Sequence, residues 1–354
     1  MIGAAPDAAQ SPGRGVGALA LTLLAFAAAS CGPSRAPGRP AALTYTRLAG
    51  NHGSVWVADA DGSHARRVTA DGDDGRLSPD GRRLTFERDG ALFLVDLMQR
   101  RTRALGRTSG NERWAPTGAR LAVSQPDGFF LVDTATGRRT RLLTTRVSTF
   151  DFTPDGRSIV LARGKGDEYL DFRRSDLFLL RVPSHTLERL TRDGRSSSPI
   201  VSRAGIAYVR SKEARVAFEL WLMRRNGSGR QLLARCCETK WYTTHAGTIH
   251  GFVPVASSTD GTHLLACQPW EGGCYSVAIN LPGGRRYTFP ETTKLGTPKE
   301  SAEALDLTRD GRTVLVLVSP WDDEPGPSLL YAVPFAGGKP RLLARDVVFA
   351  RWRS

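Results

Sequence analysis

Residues 78–105, SPDGRRLTFERDGALFLVDLMQRRTRAL, hold one copy of a unit that recurs along the chain. It opens on the turn Ser78-Pro79-Asp80-Gly81-Arg82 and continues into a strand at Leu84 to Glu87, then a nearly continuous apolar strand from Leu92 to Asp96. After a short turn it ends in a basic, half-polar strand from Thr102 to Leu105. Asp-Gly suits the opening turn because the hairpin geometry that matches strand twist needs positive φ. Outward from this unit, the same turn position is filled by Pro116-Thr117-Gly118, Thr153-Pro154-Asp155-Gly156, Arg203-Ala204-Gly205, Thr259-Asp260-Gly261 and Arg309-Asp310-Gly311. Self-similarity at such a spacing marks a repeat architecture.

The apolar strands fall at Val55 to Ala58, Leu92 to Asp96, Phe129 to Asp133, Leu177 to Arg181, Leu220 to Met223, Tyr275 to Ile279 and Leu329 to Val333, which makes seven units of about 37 to 55 residues. They lack period-two alternation, so both faces are expected to be buried, as in a four-stranded sheet held between two others. Helical periodicity of useful length is absent after residue 42. The predicted fold is all-β, a closed β-propeller of seven four-stranded blades, with six the alternative count. The first repeat, from Leu43 to Tyr45, lacks an inner strand, and the last eight residues, Val347 to Ser354 (VVFARWRS), supply one. Phe349-Ala350-Arg351-Trp352 corresponds to Asn111-Glu112-Arg113-Trp114 and to Thr149-Phe150-Asp151-Phe152. A carboxy-terminal strand completing the first blade closes the ring and removes its free edges.

Ser78-Pro79-Asp80-Gly81-Arg82-Arg83-Leu84-Thr85-Phe86 and Ala58-Asp59-Ala60-Asp61-Gly62-Ser63 resemble the repeats of the TolB-like, or PD40, propeller family. The resemblance covers roughly residues 43 to 354, strongly in the second and fourth repeats and weakly in the fifth. It implies a fold and no single activity, since propellers host unrelated functions. The family's namesake has an additional amino-terminal domain and a six-bladed ring, so its partners do not carry over.

Ahead of the repeats, Arg14 precedes the uncharged run Val16 to Ser30, which has the length of a secretory signal and is too short for a stable anchor. Ala28-Ala29-Ser30-Cys31-Gly32 resembles the lipobox of bacterial lipoproteins, which implies lipidation of Cys31; Ala28 replaces the usual leucine, and ordinary signal-peptidase cleavage is the alternative. The expected organisation is a signal peptide over 1–30, a lipidated cysteine and flexible Pro-rich tether over 31–42, and the propeller over 43–354. The expected location is a membrane, facing the periplasm or the exterior.

The 354 residues, 40% hydrophobic and 24% charged, exclude a disordered chain. The insertions Gly164 to Asp176, Ser211 to Glu219, Glu238 to Gly251, Gln268 to Gly273, Pro290 to Ala304 and Ser319 to Ser328 all fall on one face, the pattern of a binding face. Together they sum to about −6 in a chain of +14. They carry Tyr169, Phe172, Trp241, Tyr242, His245, His250, Trp270, Trp321, Asp322 and Asp323, an acidic and aromatic set suited to a peptide, a cation or a sugar. The positive charge sits on the outermost strands, as in Arg100-Arg101-Thr102-Arg103 and Arg138-Arg139-Thr140-Arg141, where it blocks edge pairing rather than forming a nucleic-acid footprint.

Cys267 and Cys274 flank a hairpin that a disulfide between them would close, with free thiols the alternative; Cys236 and Cys237 pair across to that blade, bridge each other, or stay reduced. No G-x-S-x-G, H-E-x-x-H, EF-hand, Walker or dinucleotide pattern occurs, and no cofactor is implied. His245 and His250 with loop carboxylates such as Asp167, Glu168, Asp171 and Glu324 could hold a metal, or be solvated loop residues. The expected function is a non-enzymatic module holding a protein or peptide partner. The alternatives are a metal-assisted lactonase or cyclase, or a glycan or wall-polymer binder.

Overall fold

The computed structural model describes residues 40–49, 52–108, 110–164, 175–213, 217–235, 250–270, 273–281, 286–288, 295, 300–320 and 326–353. Within them no helix forms, and the chain builds seven antiparallel sheets. Blade 1 begins with β1 (Leu43–Ala49), β2 (His52–Ala58) and β3 (Arg66–Thr69). Blade 2 is β4 (Asp73–Leu77), β5 (Arg83–Arg88), β6 (Ala91–Asp96) and β7 (Arg101–Arg107). Blade 3 is β8 (Glu112–Trp114), β9 (Arg120–Gln125), β10 (Gly128–Asp133) and β11 (Arg139–Leu143). Blade 4 is β12 (Phe150–Phe152), β13 (Ser158–Gly164), β14 (Ser175–Arg181) and β15 (Thr186–Arg189). Blade 5 is β16 (Ser196–Val201), β17 (Ile206–Glu213), β18 (Ala217–Met223) and β19 (Gln231–Ala234), with the two-residue β20 (His250–Gly251) pairing parallel to β18. Blade 6 is β21 (Val253–Ser257), β22 (His263–Trp270), β23 (Gly273–Asn280) and β24 (Arg286–Thr288). Blade 7 is β25 (Glu300–Leu307), β26 (Thr313–Pro320), β27 (Leu329–Pro334) and β28 (Arg341–Arg345).

The last strand, β29 (Val347–Trp352), lies against β1 with Leu43 opposite Trp352 and Thr46 opposite Phe349, so the first and last described strands share blade 1, as the sequence predicts. Val347, Ala350 and Trp352 are buried in that seam. The core is divided accordingly: seven apolar clusters, one between each pair of neighbouring blades. The cluster joining blade 7 to blade 1 holds Leu315, Leu330, Leu43, Tyr45 and Trp352. The unbroken apolar strands have this cause, since each sheet buries both faces: Gly128 to Val132 are all buried, and Phe129 meets Phe150 of the next blade edge-on at 4.7 Å.

The turn between the first two strands of a blade is built the same way in four blades. The hydroxyls of Ser78, Thr153, Ser258 and Thr308 donate to Oδ1 of Asp80, Asp155, Asp260 and Asp310 at 2.5, 2.7, 2.6 and 2.7 Å. The same oxygen accepts the backbone N–H two residues on. Glycine must follow. Gly81 has φ +67, and a Cβ there would stand 2.3 Å from the Ala41 carbonyl, which itself packs onto the turn. Ala41, inside the segment expected to be a tether, is buried.

Several stretches read from the sequence as loops are lengthened strands. Ser211 to Glu219 is mostly β17 and β18, and Gln268 to Gly273 is the end of β22 and the start of β23. Polar and charged residues at strand ends read like loop composition, yet the ladder continues through them, with Trp270 opposite Gly273. Cys267 is disulfide-bonded. In the register it stands opposite Ser276, and Cys274 stands opposite Pro269.

The outer-strand arginines do more than block edges. Arg139 and Arg141 of β11 lie over the Phe130 ring at 4.2 and 5.3 Å, and Arg189 of β15 lies over Phe178 at 6.0 Å. On the second strands, Arg88 of β5 and Arg210 of β17 make the same contact with Phe93 and Trp221. Each such contact contributes roughly 0.5–1 kcal/mol at an exposed site.

Candidate functional site

The innermost strands of the blades surround an axial channel, and a residue near the end of each of these strands lines it. Around the ring these are Arg351, Arg76, Arg113, Asp151, Ile200, Ala256 and Asp306. A pocket of about 220 Å³ occupies the channel from the level of Glu112 outward to Pro79, Pro116, Pro154, Thr259, Arg309 and Arg353. Those outer residues begin the tight turns, so the pocket opens on the plain face, opposite the insertions.

Its floor is a charge network linking three blades. Asp74 has φ +47 at a bulge in β4, a backbone state that Asp tolerates better than most residues, and this places its carboxylate between two arginines. Arg76 Nη2 donates to Asp74 Oδ2 at 2.7 Å, and Arg351 Nε stands 3.4 Å from Asp74 Oδ1. Arg76 Nε lies 2.8 Å from Glu112 Oε1, an ion pair off the hydrogen-bonding direction that leaves both atoms without a hydrogen bond. Burial raises Glu112 above the ordinary carboxylate range, while Arg76 and Arg351 hold Asp74 below it against its own burial. Glu112 and Asp74 in turn raise Arg76 despite its burial.

Asp74, Glu87 and Glu112 bring carboxylate oxygens within 4.8 Å of one another, the one group of three metal-type ligands among the described residues. Two of the three are already paired with Arg76, so the cluster is charge-balanced by guanidinium. Glu87, which accepts from the Thr108 hydroxyl at 3.3 Å, is pushed up to about 7 by burial and by Glu112 and Asp74.

Asp151 and Asp306 act as staples between blades. Asp151 Oδ2 accepts the Val201 N–H at 2.7 Å and its Oδ1 the Phe152 N–H at 2.9 Å. Asp306 does the same for Trp352 and Leu307, both at 2.8 Å. Burial pushes Asp151 up to about 6 even so. Arg113 is left with one hydrogen bond, from Nη1 to the Glu112 carbonyl at 2.9 Å. Burial, with Arg76 and Arg351 nearby, pulls it down to about 10.

These shifts fix a pH dependence. Glu87 and Asp151 hold protons more tightly folded than unfolded, so their contribution to stability is complete below about pH 4 and is lost as pH rises through about 6 to 7. The melting temperature should therefore fall between pH 5 and pH 8, and fall less in Glu87→Gln. A melting temperature that rises over this range would contradict the assignment.

Tyr169, Phe172, Trp241, Tyr242, His245, Trp321, Asp322 and Asp323 lie outside the described residues, as do Cys31, Cys236 and Cys237. His250 is placed in β20 and Trp270 at the end of β22. The axial ring escaped sequence reading although its signal is present: in five of seven repeats an Arg or Asp precedes the last apolar residue before the turn.

No protein-family model matches the chain, and no curated protein does. Solved structures do. The β-propeller domain of the Trilobed protease from Pyrococcus furiosus, described as having an open velcro topology, is 13% identical with a TM-score of 0.59, over 89% of this chain and 95% of that one. An oligogalacturonate lyase in complex with manganese is 14% identical with a TM-score of 0.55, over 87% and 86%. TolB from Acinetobacter baumannii is 14% identical with a TM-score of 0.49, over 89% and 67%. At the identities of the protease domain and the lyase, what is shared is the propeller. Unlike the open protease domain, this ring has its first blade completed by β29.

Proposed function

We propose that this chain is an exported, lipid-anchored binding module, without catalytic activity of its own, that holds a protein or peptide partner at the axial pocket. The observation that carries the reading is the pocket itself: a cavity of about 220 Å³, open on one face and lined by five arginines, three acids, prolines and apolar side chains. Such a lining offers contacts to a ligand. The support for anchoring is the lipobox-like setting of Cys31 in the sequence.

Thr259→Trp fills the mouth of the pocket without altering its charge. In-cell crosslinking with mass spectrometry should capture a partner reproducibly with the native chain and lose it with Thr259→Trp. Equal capture by both would place the partner elsewhere, and stoichiometric metal or turnover of a lactone or glycan by the purified protein would replace this reading by an enzymatic one. Cys31→Ser should release the protein from the membrane fraction; retention there would remove the lipid anchor from the account.

A further inference from the structure

We propose that the axial pocket is a receptor for the C-terminal carboxylate of a peptide, a proposal that rests on the binding reading above. The pocket is lined by five arginines, Arg76, Arg113, Arg309, Arg351 and Arg353, and by three acids, Glu112, Asp151 and Asp306. The acids are spent. Asp151 and Asp306 each accept two backbone N–H groups, and Glu112 is paired with Arg76. Arg351 and Arg76 are engaged by Asp74. Arg113, Arg309 and Arg353 have no carboxylate within ion-pair distance among the described residues. Arg113, half-buried on the inner wall of the ring, has the cations Arg76 and Arg351 and the acids Asp151 and Glu112 around it, and Arg309, exposed at the mouth, stands near Arg353. An anion seated here would meet guanidiniums that hold no ion pair of their own.

The class of anion follows from the walls. Leu77, Phe152, Val201 and Leu307 line the cavity beside the guanidiniums, with Pro79, Pro116 and Pro154 around the mouth. A carboxylate attached to an apolar side chain satisfies both surfaces, and the planar fork of an arginine matches it in two hydrogen bonds. Phosphate would meet the cations and leave the apolar walls against water. A volume of 220 Å³ is below the usual range for drug-sized ligands, and it admits a chain end rather than a folded element.

The test uses a pool of random pentapeptides with free C-terminal carboxylates and the same pool amidated, each passed over immobilised full-length protein, with retained peptides counted by mass spectrometry. Free-acid peptides should be retained at least about tenfold over amides, with apolar C-terminal residues enriched. Arg113→Met should abolish the difference. Arg309→Gln, on an exposed turn where folding is not at stake, should reduce it severalfold. Equal retention of acids and amides overturns the proposal, as does retention of amidated peptides that carry an internal Asp or Glu. If that happens while Thr259→Trp still loses the cellular partner, the carboxylate proposal fails and the binding reading stands. If no partner is captured from cells either, both fail.

Discussion

A chain ended at Asp346 should yield no cooperatively melting protein. The removed segment supplies the innermost strand of blade 1, with Val347, Ala350 and Trp352 buried between blades 7 and 1. It also supplies Arg351 to the axial network and the Trp352 N–H to Asp306. Without it, β1 shows an unpaired edge and the apolar cluster between the two blades stands open, a state prone to edge-to-edge association. Trp352→Ala alone should cost about 3–5 kcal/mol. A permuted chain separates loss of this strand from general damage. Because Trp352 lies opposite Leu43 in an antiparallel pair, residues 347–353 can be moved ahead of Ala42 through a short hairpin linker. Circular dichroism melts should show restored cooperative unfolding for the permuted chain. Cooperative unfolding of the truncated chain near the native temperature would mean that the ring does not depend on its closing strand.

The second large effect is expected at Arg76, where Arg76→Met should cost about 3–5 kcal/mol, because it strips the partner from the buried carboxylate of Glu112 and takes one of two arginines from half-buried Asp74. Its sign with pH is determined. Without the cation both Asp74 and Glu112 are easier to protonate, so acid relieves the strain, and the deficit against native protein should be largest near pH 8 and shrink toward pH 5. Adding Glu112→Leu should return part of the loss, since it removes the buried carboxylate that Arg76 alone pairs and leaves Asp74 beside Arg351. Chemical denaturation at both pH values measures these differences. A deficit below about 1 kcal/mol, or one that does not change with pH, would mean that the floor of the pocket is not held by this network.

Ring architecture was legible in the sequence because the physics repeats. Seven apolar strands without alternation require seven sheets buried on both faces, and Asp80, Asp155, Asp260 and Asp310 hold the same turn by the same hydrogen bonds. Closure was legible from Phe349-Ala350-Arg351-Trp352, whose pattern matches the heads of other blades and whose strand now completes blade 1. The axial site was not. Arg76, Arg113, Arg351, Asp151 and Asp306 stand between apolar residues in short strands, and one charge per repeat reads as an outward-facing position until the ring brings the five together. Asp74 adds a second difficulty, because its placement depends on a bulge and a positive φ that no spacing rule announces. Insertion length drew attention to the opposite face, yet part of that length is strand, as in β17, β18, β22 and β23.

Site-specific photocrosslinking in cells tests the central claim most directly, with the reactive group placed at Pro116, on the mouth of the axial pocket, or at Leu342, exposed on the outermost strand of blade 7. The account predicts a discrete crosslinked partner from Pro116, absent from Leu342 and absent from Pro116 when Arg113→Met is also present. A partner crosslinked from Leu342 and not from Pro116 would contradict it and move the binding surface off the axis of the ring.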